Sequence, residues 1–277
     1  MFIVRDHVVE AHGHYGWIRD IAKSYQAKYR LARKVVRDDR PALVDFRKDP
    51  LGVPPILDQL ALSACTANSV AGTIRYLQMK EKLTRIFTPS RLAIYYWERA
   101  RDGQTDNDAG ATIEDQMAVV KTIGAPDEAL WPYDVDQLTV EPPASVLAAA
   151  ATDIVPQELL IVDGIDGIMD SLEQRRPVSL GFVVYSSFES TEVAITGMVP
   201  MPVLKSWRKL RLFGLDTVSG GHAVWACGYD QVRKLLICCN SWGTHWGDAG
   251  FFYLPFDYVA DGNLSGPYYS VQLVRQS

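Results

Sequence analysis

Apolar residues recur at helical spacing through the first half of this chain and collect in short continuous runs through the second. Ala67, Val70, Ala71, Ile74 and Leu77 repeat with a helical period, so the segment from Cys65 predicts a helix with one buried face. Thr88-Pro89-Ser90 predicts a second helix start, with the proline at the first helical position and the body over 92–101. Thr112 and Asp115 have capping-box spacing ahead of Met117, Val120 and Ile123, and Gly124 ends that helix. Further helices are expected over 142–152 and 165–174. From Pro177 the pattern changes. The run P-V-S-L-G-F-V-V reads as a buried strand, 222–229 and 235–240 as a hairpin, and 250–254 and 270–275 as further strands. Helices and strands in separate blocks imply an α+β fold, with a helical lobe over about 55–150 and an antiparallel β lobe over about 151–277. Ligand sites favour the crevice between such lobes.

Residues 1–42 precede this body as a polar arm with mixed charge, a short helix expected near 20–36, and the aromatics Tyr15, Trp17, Tyr25 and Tyr29. Those rings predict that the arm lies on the body. Residues 186–219 form a long connection, and its basic cluster Lys205, Arg208, Lys209 and Arg211 reads as a solvated loop.

Composition narrows the function classes. A net charge of -5 gives no basis for a nucleic acid or an anionic membrane as partner. No apolar run approaches the ~20 residues that span a bilayer. The N-terminal MFIVRDHVVE lacks the apolar core of a secretory signal, and the compartment stays open. His7, His12, His14 and His245 have no metal-ligand spacing, so neither a metal nor another cofactor is expected. Four cysteines do not make a disulfide framework. Cys227, Cys238 and Cys239 read as reduced buried thiols, with a bridge from Cys227 to Cys238 or Cys239 left open.

Cys65 stands where a polar loop enters its helix. Alone it reads as a structural thiol, but a helix N-terminus favours the thiolate, and Gln59 lies six residues earlier. Downstream, His222 opens one strand of the hairpin and Asn240 closes the other. A thiol nucleophile needs a base, and the base needs a group to orient its ring. Cys65, His222 and Asn240 can fill those roles.

The motifs V-D-F-R, D-Q with Cys65 seven residues after Asp58, W-P-Y, R-P-V-S, G-G-H-A-V-x-x-x-G-Y and N-S-W-G-x-x-W-G occur in that order over about residues 43–275. In them the chain resembles the papain family of cysteine peptidases, within a compact microbial branch. His222 and Asn240 follow Cys65 by 157 and 175 residues, slightly beyond the roughly 130 to 150 of the family signature, and the 186–219 connection accounts for the excess.

The resemblance implies a two-lobe fold with the active site in the cleft. It makes Cys65 the nucleophile, His222 the general base and acid, and Asn240 the group that orients it. Gln59 and the Cys65 N–H would form the oxyanion hole, and Trp242 would shield the His222–Asn240 bond. Gly110, Ala111 and Gly221 would meet the substrate backbone, and Trp246 would line the leaving-group side. The implied partner is a peptide or protein substrate, and the implied state is a monomer. Leu62, Ser63-Ala64 and Thr66 depart from the family pattern of Cys, Gly-Ser and Trp around the nucleophile, which bears on substrate preference and local rigidity. Residues 1–42 are expected to be a propeptide or a cover that packs across the cleft and restrains activity, with 43–277 as the catalytic domain. The alternatives are a non-catalytic binding protein on this scaffold, and an acyl-transferase or isopeptidase with the same triad.

Overall fold

The computed structural model describes residues 15–19, 30–31, 39–153, 155–204 and 215–275. In chain order its elements are β1 (Arg30–Leu31), β2 (Leu43–Asp45), α1 (Cys65–Lys80), α2 (Arg91–Ala100), α3 (Ile113–Thr122), α4 (Ala144–Asp153), β3 (Val155–Val162), α5 (Gly164–Glu173), β4 (Val178–Tyr185), α6 (Thr191–Thr196), β5 (Val218–Asp230), β6 (Leu235–Cys239), β7 (Phe251–Pro255), α7 (Phe256–Ala260) and β8 (Ser265–Arg275). The strands form one sheet in the order β1-β3-β8-β4-β5-β6-β7, with β2 paired to β5. Every pairing is antiparallel except β1 with β3. Helices precede most of the sheet, so the α+β expectation holds. Among the described residues, no helix is long and apolar enough to cross a membrane.

Helix α1 is the central element. Its apolar residues are buried as the spacing predicts, but so are Thr66, Asn68, Ser69, Thr73 and Gln78, so burial is not confined to one face. The helix is wedged between β5 and the helices α2 and α3, and both sides meet protein. Polar side chains so enclosed need partners. Asn68 donates to the Ala64 carbonyl, Ser69 to Ser179, and Gln78 accepts the Phe87 N–H.

Local signals placed most boundaries correctly. Ser90, not Pro89, caps α2, because its hydroxyl accepts the Ala93 N–H, and the proline lies one residue outside. The Thr112 hydroxyl accepts the Asp115 N–H and donates to Asp115 Oδ2, a shortened form of the capping box. Strand β3, which pairs with β8 along its length, has no counterpart in the sequence reading. Its helical flanks and its Pro156 obscured the run. Of the helix expected over 20–36, only Arg30 and Leu31 are described. They pair in parallel with Leu160 and Ile161 as a strand, and the rest lies outside the described residues. Tyr25, Tyr29, the basic cluster at 205–211, His7, His12 and His14 lie outside them too. Cys227, Cys238 and Cys239 are buried free thiols, so the bridge left open from the sequence is not formed.

Candidate active site

The β5–β6 hairpin sets Trp225 opposite Cys239. This register brings His222, on β5, beside Asn240 at the end of β6, and His222 Nε2 lies 2.7 Å from Asn240 Oδ1. The same Asn240 oxygen accepts the Ser241 N–H at 2.8 Å, which identifies it as the carbonyl oxygen. Nε2 must therefore be the donor. In a neutral ring, Nδ1 is then the bare acceptor, and it has no hydrogen-bond partner.

Aromatic rings enclose this pair. The Trp242 indole stacks on the His222 ring at 4.8 Å between centroids, and Phe182 meets it edge-on at 5.9 Å. Trp246 is buried behind Trp242, against Phe188 and Phe252.

Cys65 is the first residue of α1, and no side chain caps that end of the helix. The backbones of Ala223, Gly16 and Thr66 lie beside its sulfur, so β5 reaches the thiol through the residue next to His222. The loop that carries Gln59 is held from both halves of the chain. Gln59 is buried, its N–H donates to the Ser241 carbonyl, and Asp58 pairs with Trp242. The Ser241 hydroxyl donates to Gln59 Oε1 at 2.6 Å, which turns the NH₂ group away from Ser241, where it donates to the Leu62 carbonyl.

Three supports were not read from the sequence. Arg91 makes a two-pronged ion pair with Glu128, donates to the Asp58 carbonyl at 2.8 Å and to Asn68 Oδ1, and lies 3.9 Å over the Tyr133 ring. The Tyr133 hydroxyl donates to the Gln59 carbonyl, so this cluster braces the loop that carries Gln59. Thr66 donates at 2.6 Å to buried Glu98, whose carboxyl is pushed well above its usual range by burial. This fixes the turn after Cys65 where the family pattern has a tryptophan. No short-range sequence signal links such distant residues.

The cleft is filled by the chain itself. Residues 15–19 form a strap across it: Trp17 N–H donates to the Gly221 carbonyl, Ala111 N–H to the Gly16 carbonyl, and Ile18 N–H to the Ala111 carbonyl. Tyr15 packs on His222 and Trp242, and its hydroxyl donates to Glu189. Arg19 reaches the carbonyls of Gly262 and Asn263. Gly16 lies so close to Ser63 that any Cβ on it would overlap the Ser63 carbonyl.

This cover changes the electrostatics expected of the thiol. Burial pushes Cys65 up to about 11, against the downward pull of the Ala223 and Gly16 backbone bonds. Burial also lowers His222 to about 4, despite the hydrogen bond to Asn240. A thiolate at the helix N-terminus is therefore not the favoured form here. Burial favours the neutral form of both groups.

A family model described as papain family cysteine protease matches residues 40–261. An uncharacterized peptidase C1-like protein of Acanthamoeba polyphaga mimivirus is 33% identical over 271 residues, which is 92% of this chain and 84% of the viral protein. A cathepsin B-like protein of Giardia intestinalis is 25% identical over 229 residues, 78% of this chain and 69% of its own length. Among solved structures, xylellain, a cysteine protease from Xylella fastidiosa, superposes with a TM-score of 0.77 at 28% identity, covering 95% of this chain and 97% of that one.

Proposed function

The chain belongs to the papain family of cysteine proteases and is a hydrolase of peptide or protein substrates; from that premise we propose that it is an endopeptidase working through Cys65, His222 and Asn240. The observation that carries this reading is the His222–Asn240 bond, which leaves Nδ1 as the ring nitrogen able to accept a proton from Cys65. The thiolate then attacks the scissile carbonyl carbon. The Cys65 N–H and a Gln59 Nε2 hydrogen hold the resulting oxyanion, a type of contact worth about 100- to 1000-fold in turnover. His222 returns the proton to the leaving amine as the thioester forms, and water, activated by the same ring, releases the acid.

Residues 1–42 act in this reading as an inhibitory arm ahead of a catalytic domain over 43–277, and the strap at 15–19 is its working part. The Gly16 carbonyl is engaged by the Ala111 N–H at 2.8 Å.

Peptide-library cleavage by the full chain and by a chain beginning at Pro41, with Cys65→Ala as control, tests both parts. Cleavage that survives Cys65→Ala would remove the mechanism, and equal rates with and without the arm would remove the restraint. Adding a free amine separates hydrolysis from acyl transfer, since a transferase would yield the new amide.

A further inference from the structure

We propose that Tyr95 and Asp108 are positioning residues for the reaction: together they tie the backbone edge that receives a peptide to the loop that carries Cys65. The inference rests on the protease reading and adds to it a pair of residues outside the triad.

The strap shows how that edge is used. The Ala111 N–H donates to the Gly16 carbonyl, and the Ala111 carbonyl accepts the Ile18 N–H. An extended substrate in place of the strap finds the same two groups. The preceding residue, Gly110, lies directly under the strap. Its φ is +77°, where a side chain is disfavoured, and a Cβ there would overlap the Gly16 carbonyl. The Gly110 N–H makes a buried bond to the Tyr95 hydroxyl at 2.9 Å.

One carboxylate then joins this edge to the nucleophile. The Tyr95 hydroxyl donates to Asp108 Oδ1 at 2.5 Å. The Ser63 N–H, two residues before Cys65, donates to the same group, at 2.8 Å to Oδ2 and 3.1 Å to Oδ1. A carboxylate takes both donors at once because it has only acceptors. Peptide edge and nucleophile loop are thus joined through Gly110, Tyr95, Asp108 and Ser63.

Helix α2 makes the tie stiff. It carries Tyr95, which is fully buried, and Arg99 one turn later, whose guanidinium lies 4.5 Å over the Tyr95 ring. Arg99 is itself buried and donates to the carbonyls of Thr105 and Asn107, which lead into Asp108. Attack on a scissile carbon requires the bound backbone and the sulfur to keep their separation. A misplacement of about 1 Å can cost about 100-fold in rate. A small acyl donor with no backbone at Ala111 does not depend on that separation.

The test measures two substrates on the full chain, with Cys65→Ala as background. One is a fluorogenic peptide with four residues before the scissile bond, chosen from the peptide-library cleavage. The other is p-nitrophenyl acetate, which acylates a thiolate and has no backbone to pair with Ala111. The ratio of their kcat/KM values cancels the fraction of enzyme that is folded and uncovered, so a merely structural role would leave it unmoved. Tyr95→Phe, which keeps the ring and removes both hydrogen bonds, and Asp108→Ala should each lower the ratio by at least about tenfold. The double variant should be no worse than the more damaging single one, because the two residues act as a unit. Tyr95→Phe alone decides if Asp108→Ala does not fold. A ratio left unchanged by either single variant, or losses that multiply in the double variant, overturns the inference and leaves the protease reading intact. Failure to cleave any peptide, with or without the arm, overturns the protease reading, and this inference with it.

Discussion

His222 donates through Nε2 to Asn240 Oδ1 at 2.7 Å, and the Ser241 N–H on the same oxygen prevents the amide from turning over. The bond sets both the orientation and the tautomer of the imidazole. His222→Ala should lower kcat by about 10²- to 10⁴-fold, the usual worth of a general acid–base group. Asn240→Ala should cost less, because the ring survives but loses its fixed tautomer. Steady-state kinetics on one peptide decide this, and an Asn240→Ala enzyme with unchanged kcat would count against the orienting role.

The contact between Gly16 and Ser63 makes a steric prediction about the arm. Gly16→Val in the full chain cannot keep the strap seated, since its side chain meets the Ser63 carbonyl. Peptide hydrolysis and alkylation of Cys65 should both rise, on the order of tenfold or more as the open fraction grows. An unchanged alkylation rate would show that the strap is not what shields the sulfur.

The covered site also has a pH dependence of definite sign. His222 is lowered to about 4 by burial, below the roughly 6.5 of a solvated imidazole, so the uncovered state binds more protons in that window. Its contribution to the closed state is complete above about pH 6.5 and is lost as pH falls toward 4. The amides of Trp17 and Ile18, which donate to Gly221 and Ala111, report this directly. Their hydrogen-exchange protection, corrected for intrinsic rates, should fall between pH 6.5 and 4, by up to about tenfold per unit. Constant protection would mean that the strap does not respond to His222.

Arg91 is predicted to act on turnover without touching substrate. Its fork joins Glu128, the Asp58 carbonyl and Asn68, and Lys cannot reproduce that planar geometry. Arg91→Lys should loosen the loop carrying Gln59 and reduce kcat more than it raises KM. A change confined to KM, or a fall in thermal stability alone, would assign Arg91 a purely structural role.

The fold class was legible because local physics dictates it. Helical periodicity, the Ser90 and Thr112 caps, and the paired apolar runs of β5 and β6 are written within short windows. Cys65, His222 and Asn240 could be proposed from residue type, order and motif. Strand β3 was not legible, since its pairing with β8 joins residues more than a hundred positions apart and no local pattern announces it. The interior of α1 escaped for a related reason: periodicity identifies an apolar face but does not reveal a second layer that buries the polar one.

What the sequence by itself determined was the chemical inventory: a thiol at a helix start, an imidazole and an amide on neighbouring strands, and an aromatic arm ahead of them. Only the tertiary structure decided the state of that inventory. Residues 15–19 pack across the site, and burial favours the neutral form of both Cys65 and His222. A solvated helix end favours the thiolate, whereas burial among residues brought from distant parts of the chain favours the thiol.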